Sequence, residues 1–420
     1  MPDLKMIRAW RLQNGVPVWI GIADVYASAA LYRRHRSVGA FELSLPFTEN
    51  NRSIFRDAQY LEFITDQDSD ANPMQLPFVG IVRTRSAETG AGNKLMLSLS
   101  GDDFSGIAKQ RIMLPYPRYL GDAVETGTNN PYDGYWDYPP ALYDSNHKFV
   151  EDGDPKSASV ILENIVDNAF ADKHNSKRNL SYITYDGTQC DVPYGRYRAY
   201  MTDTCATALE GACEVFNLGW RFAYDLAKNQ IYFIIMTGKD RADSVQFSAD
   251  YGNEKDIRYV LDTTDARNVG YYLGKKIEDT QGEAQGDGRT YMMDYTEAQE
   301  PAGLERYESL YDVGQIASDT VSARQTNGRA QLAKSAATES YSADAVQGRT
   351  FTYRIDYENG DIVTRADSRL GISTQTRIIE TVEYYQHGGN SVVHKFGSVL
   401  PNVADQIRRA AQSAPYKGGH

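Results

Sequence analysis

Asp66, Asp68 and Asp70 alternate as the carboxylates of an oxygen-ligand calcium loop do at its start. The pattern then breaks, because Ala71 stands where the sharp turn needs glycine and Pro77 where a bidentate glutamate closes the shell. The triplet is expected to be a solvated hairpin tip. Cys190, Cys205 and Cys213 contain no C-x-x-C pair and the six histidines are scattered, so the sequence offers no zinc cage. Cys205 and Cys213 fall on the apolar face of an expected helix, and a reactive thiol needs an exposed, electropositive setting. Gly238-Lys239 is followed by Asp240 and lacks the upstream glycine of a phosphate loop, and neither a G-x-S-x-G elbow nor an H-E-x-x-H helix occurs. Asp133 and Asp137, in a Tyr- and Trp-rich stretch, are the pair best placed for glycoside hydrolysis, but a chain with 56 acidic residues sets some beside aromatics by chance. The reading is of a non-enzyme, with no catalytic residue, cofactor or metal ligand to name.

The same stretch supplies the binding candidates instead. Tyr132, Tyr135, Trp136 and Tyr138 lie among Pro115, Pro117, Pro131, Pro139 and Pro140, a proline density that forbids regular helix and predicts a long loop packed on a neighbour. Thirty tyrosines against fourteen phenylalanines and four tryptophans suit half-buried strand surfaces and interfaces with one wet side. A net charge of -12 argues against tight nucleic-acid binding. No run approaches the roughly 20 apolar residues of a membrane span, and the opening MPDLKMIRAW lacks a secretory pattern, so synthesis in the cytoplasm as a soluble, unexported chain is expected.

The elements carrying these residues read as mainly β. Strand-like runs at Val16–Ile22, Phe41–Leu45, Tyr60–Ile64, Phe78–Val82 and Leu95–Leu99, then a short helix from Asp103 to about Arg111, predict a first β-barrel over 1–111. Apolar faces at helical spacing over Ser157–Ala169 and Thr204–Phe216, then a hairpin of Trp220–Tyr224 and Gln230–Met236, predict an α/β domain over 112–240 that includes the loop 113–150. Strand-like runs at Ser244–Phe247, Ile257–Asp262, Asn268–Lys275, Arg349–Tyr357, Asp361–Arg365, Thr374–Tyr385 and Ser391–Phe396 predict a second barrel over 241–400. It carries an inserted region 278–345, with an exposed loop at Glu278–Gly288 and a weak helix over Ala317–Ser340, and 401–420 is a tail.

Tyr32-Arg33-Arg34 followed by Val38-Gly39-Ala40-Phe41-Glu42-Leu43-Ser44-Leu45-Pro46 resembles the opening of the tail-hub proteins of tailed phages, also called tail-associated or baseplate-hub proteins. The pieces Tyr60-Leu61-Glu62-Phe63-Ile64, Phe78-Val79-Gly80-Ile81-Val82 and Leu97-Ser98-Leu99-Ser100-Gly101-Asp102-Asp103 follow in that family's order. Gly360-Asp361-Ile362-Val363-Thr364 looks like the opening strand of its second barrel, with Thr376–Val382 and His394–Ser398 as the closing hairpin. The resemblance implies two similar antiparallel β-barrels with two smaller domains, three copies forming a ring that continues the tail tube. Its implied partners are the chain itself as a homotrimer, a distal tail or tube protein, a tape-measure protein and tail fibre or receptor-binding proteins. Its implied place is the tail tip of the virion, in the path of DNA ejection. Many hubs continue into a C-terminal extension with wall-degrading modules, whereas this chain stops at His420, so no such activity is expected. The competing expectations are a cell-wall hydrolase or a carbohydrate-binding protein of the same particle.

Overall fold

In the computed structural model the described residues are 2–23, 25–89, 94–114, 135–138, 142–143, 149–151, 156–171, 176–180, 182–186, 193–195, 197–200, 203–276, 289–313, 321–345, 350–369, 371–386 and 389–397. The first strands are β1 Leu4–Gln13, β2 Val16–Ile22, β3 Ser28–Arg34, β4 Ala40–Pro46, β5 Tyr60–Thr65, β6 Phe78–Thr89 and β7 Leu95–Asp103, with helix α1 at Glu49–Asp57. Then come β8 Tyr135–Tyr138, α2 Ala158–Phe170, β9 Ile183–Asp186, β10 Tyr197–Tyr200, α3 Cys205–Phe216, β11 Gly219–Asp225, β12 Gln230–Met236 and β13 Gln246–Ser248. The remainder supplies β14 Val269–Lys276, β15 Arg289–Tyr295, β16 Glu308–Asp312, α4 Val321–Lys334, β17 Ile362–Asp367, β18 Ile372–Gln386 and β19 Ser391–Gly397. The chain is thus mainly β, and it divides into two compact units, one of residues 1–257 with 342–396 and one containing 258–341.

In the larger unit the strands pair in the order β2-β1-β5-β6-β7-β4-β3-β18-β19, each neighbour antiparallel. Alternation along these strands turns one face onto a shared core, with Ile7 and Ala9 of β1, Leu31 of β3, Phe41 and Leu43 of β4, Leu61 and Phe63 of β5, and Leu97 and Leu99 of β7. Ile54 of α1 closes the same core, and Thr48 caps that helix by accepting from Asn51 N at 3.0 Å. Arg83 bulges out between the Val82–Gly101 and Thr84–Ser100 pairs. Gly101 is required there, since a Cβ would stand 1.9 Å from the Ile81 carbonyl oxygen.

A second layer stands on α2, α3 and a three-stranded sheet ordered β9-β12-β11. Ile161, Leu162 and Ile165 of α2 meet Leu209, Ala212 and Cys213 of α3 and Trp220 and Phe222 of β11 in one core. Thr204 caps α3 by accepting from Thr207 N, and Asn217 ends the helix at φ 55.

The C-terminal strands assigned by sequence to a second barrel are stitched into the first sheet. β18 pairs with β17 through residues 372–377 and with β3 through 380–386. At that seam Arg33 Nε donates to Glu383 Oε1 at 2.7 Å and Arg34 Nε to Glu380 Oε2 at 2.6 Å, while Lys395 pairs with the other Glu380 oxygen. Tyr385 OH donates to the second Glu383 oxygen at 2.8 Å. His394 is fully buried, its Nε2 2.8 Å from Tyr357 OH and its Nδ1 3.1 Å from Thr381 Oγ1. His35, equally buried, lies against Gly219 and Gly360, where any side chain would collide with its ring.

Three sequence expectations need correction here. Arg349–Tyr357 is not a strand: Arg349 lies outside the described residues, and Thr352–Tyr357 form a turn in which Arg354 takes φ 66 and Asp356 accepts from Thr352 N at 2.6 Å. Asp68 is not solvated, since its side chain is 3% exposed and forms an ion pair with Arg354 at 2.8 Å. A partner 286 residues away, which no local pattern announces, accounts for both. The helix expected over Ala317–Ser340 is found as Val321–Lys334, with 317–320 outside the described residues, and Thr338–Ala345 form a strand, because serines and threonine disfavour continuing the helix. The loop Glu278–Gly288 also lies outside the described residues.

Candidate interaction surfaces

Catalytic chemistry finds little to stand on. Cys205 and Cys213 are buried between α2 and α3, and burial pushes both thiols well above the ordinary range, which removes the thiolate that a nucleophile needs. Among the described residues no group of three or more His, Cys, Asp or Glu side chains could share a metal ion. Burial pushes the Asp103 carboxyl up to about 6, while hydrogen bonds from the Gly39 backbone and Ser105 oppose that rise. This contact ties the Gly39 turn to the end of β7, so two of the motif pieces meet in space.

Of the binding candidates, Tyr132 lies outside the described residues, as do Asp133 and Cys190. Tyr135, Trp136 and Tyr138 belong to strand β8 rather than to a loop, pairing in the backbone with Tyr200, Ala199 and Tyr197 of β10. Aromatics favour extended backbone.

The surface that sequence reasoning did not single out is β2. It is the terminal strand of the long sheet, so among the described residues the edge away from β1 lacks a neighbouring strand, and Asn50 of α1 donates to its Ile22 carbonyl at 2.6 Å. Its sequence, VPVWIGI, is apolar on both faces and carries no charge, and Trp19 is 55% exposed with Val16 and Ile22 also exposed. Natural edges are ordinarily blunted by lysine, a charged inward residue or a covering helix, so an apolar edge of this length is a template for another strand. Its signal in the sequence was that very lack of charge in a strand whose alternation should have turned one face polar.

The smaller unit offers a second surface. Its sheet, ordered β15-β14-β16, packs Tyr272, Tyr311 and Met292 toward α4, whose Gly328 lets the Tyr272 ring lie against the helix backbone. The opposite face carries Met293, Tyr271 and Leu310 in register across the three strands. Arg306 is pinned there by Glu300 at 2.6 Å and by Glu308, and it donates to Tyr271 OH at 3.0 Å. Such faces associate without covalent chemistry, through aromatic and methionine contacts bordered by fixed charge.

Curated protein sequences yield no match. Residues 193–398 match the family model described as Siphovirus ReqiPepy6 Gp37-like protein. Among solved structures, the tail protein from Neisseria meningitidis MC58 is similar at a TM-score of 0.52 and 12% identity, over 94% of this chain and 95% of that one. The 43 kDa tail protein of prophage MuSo2 from Shewanella oneidensis is similar at 0.52 and 11% identity, over 93% and 98%. At these identities the two structures speak for the fold, and the family match speaks for descent. The chain thus shares its fold with two tail proteins, and its residues 193–398 are similar to a siphovirus protein family.

Proposed function

We propose that the chain is the structural hub at the tip of the tail, a ring of three copies that continues the tail tube and anchors the tip or baseplate and the receptor-binding components. The observation that carries this reading is the long antiparallel sheet ending in the apolar strand β2, whose Trp19 is 55% exposed. A ring closes by head-to-tail contacts, which require two different surfaces on each copy rather than one self-complementary patch. The reading takes 1–111 and 241–400 as two related β-barrel domains and 112–240 as the α/β domain between them, with 278–345 as an insertion and 401–420 as a tail. Two related domains on a threefold body then meet a sixfold tube without six chains. Its partners are further copies of itself, the distal tail or tube protein, the tape-measure protein and fibre or receptor-binding proteins, with Tyr132, Tyr135, Trp136 and Tyr138 in one of these contacts. The protein is made in the host cytoplasm, works in the virion and serves DNA passage without gripping it.

Cryo-electron microscopy of assembled tail tips is expected to count three copies. One copy per tip, or six copies each using one domain, refutes the hub ring, whereas a monomer in dilute solution is compatible with a ring closed by its neighbours. The hub is also expected to be inert toward cell walls. Zymography with the pure chain checks this, and lysis that disappears on Asp133→Asn or Asp137→Asn would make it a hydrolase instead.

A further inference from the structure

The larger unit contains a cavity of about 70 Å³ where the start of β6, the middle of β11, the end of β3 and the 353–359 turn converge. Four guanidinium-bearing side chains line it, those of Arg33, Arg34, Arg221 and Arg354, against the two acids Asp103 and Glu358. Three of the four are answered by carboxylates outside the lining, Arg33 by Glu383, Arg34 by Glu380 and Arg354 by Asp68. Arg221 is not. Its Nη2 donates to the backbone oxygens of Pro73 at 3.3 Å and Met74 at 2.5 Å, and among the described residues no carboxylate reaches it. Glu358 is exposed and makes no hydrogen bond to it, and Asp103 takes the Gly39 backbone and Ser105 while its Oδ1 is a buried acceptor without a hydrogen bond. Nε of Arg221 and Nη2 of Arg33 are buried N–H donors without an acceptor. Arg221 is therefore hydrogen-bonded to neutral acceptors and keeps a buried N–H without an acceptor, beside a second such donor on Arg33.

We propose that this cavity is a binding site for a single small oxyanion, with Arg221 as its principal ligand and Arg33 as the second donor. A carboxylate meets the planar fork of a guanidinium with two parallel hydrogen bonds, and a tetrahedral oxyanion meets it through one edge. Leu76, Phe78, Phe222 and Met236 add apolar wall beside these donors. Burial, then Arg33 and Arg354, pull Arg221 down to about 10, and Glu358 opposes them. The anion has two possible sources, a free ion or the side-chain carboxylate of another tail protein, and the site is independent of the hub reading.

The test is thermal unfolding of the full chain titrated with acetate, N-acetylglutamate amide or phosphate, with sodium chloride holding the ionic strength constant. A saturable rise of about 2 to 4 °C is expected. A rise with the two carboxylates and none with phosphate marks a docked side chain as the source, and a rise with phosphate marks a free ion. Arg221→Met is expected to abolish the rise while melting no lower than the wild type without anion, and Arg221→Lys to keep part of the rise. No response to any anion, or a response that persists undiminished in Arg221→Met, overturns the proposal. Should Arg221→Met fail to fold, the wild-type titration and Arg221→Lys still decide, since an equal response to chloride alone would also refute it.

Discussion

Glu383→Ala is expected to destabilise the larger unit by about 3–5 kcal/mol, the range found when one member of a buried ion pair is removed. Glu383 is fully buried on β18, and Arg33, its partner across the seam, is 12% exposed at the side chain. Removing the carboxylate leaves the Arg33 guanidinium enclosed without its counter-charge and deprives the Tyr385 hydroxyl of its acceptor. The pair is not itself a large source of stability, because both charges were taken out of water to make it. The double variant Arg33→Met with Glu383→Leu is therefore expected to lose much less than Glu383→Ala alone. Urea unfolding followed by tryptophan fluorescence measures both. Equal losses in the single and double variants would show that packing, and not the isolated charge, governs the seam.

Stability is expected to fall steeply as the solution is acidified below about pH 6.5, the ordinary histidine value. Burial pulls His394 down to about 3, and burial followed by Arg377 and Arg36 pulls His35 down to about 3. His394 faces Tyr357, Thr381, Phe247, Tyr353 and Phe396, none of which supplies a negative charge. Because the folded values are depressed, the unfolded chain binds these protons first, and the stability they contribute is present above about pH 6.5 and lost as pH falls toward about 3. Asp103 acts with the opposite sign, since its folded value is raised to about 6 and it favours the folded state as the pH drops. Two histidines against one aspartate leave a net slope of about 1.4 kcal/mol per pH unit between roughly pH 4 and 6. Glu62, raised chiefly by burial, trims that slope, and Glu380, lowered by Lys395 and Arg34 against the pull of burial, adds to it. Urea midpoints at several pH values give the slope, and His394→Gln should flatten it. An unchanged slope in that variant would remove His394 from the account.

How much of this was legible in the sequence depended on whether the cause was local. The Ile161–Ile165 and Leu209–Cys213 faces and the hairpin around Asn229 were readable because their partners lie within a turn or two. Strand β1 and helix α1 were not. Helix α1, ENNRSIFRD, shows only Ile54 and Phe55 as apolar residues, and its place is set by the Thr48 cap and by the Asn51 side chain donating to Val25 and Pro46 carbonyls. The 353–357 turn and the burial of Asp68 were illegible for one reason, an ion pair between residues far apart in the chain. The interaction surfaces were half legible: β2 was readable as a strand, but its position at the rim depends on strand order, which the pattern of a single strand does not contain.

The pairing of β3 with β18 sets a schedule for the growing chain. Residues 28–34 leave the ribosome about 350 residues before 380–386, one of their two strand neighbours, so that edge of the sheet waits for all of the chain between them. Until then β3 presents open backbone groups to whatever else is nearby, and a product cut short before Ile372 never covers them. A nascent or truncated chain is therefore the form most prone to aggregate or to be cleared by proteases, and completion of this one ladder separates an assembly-ready subunit from a defective one.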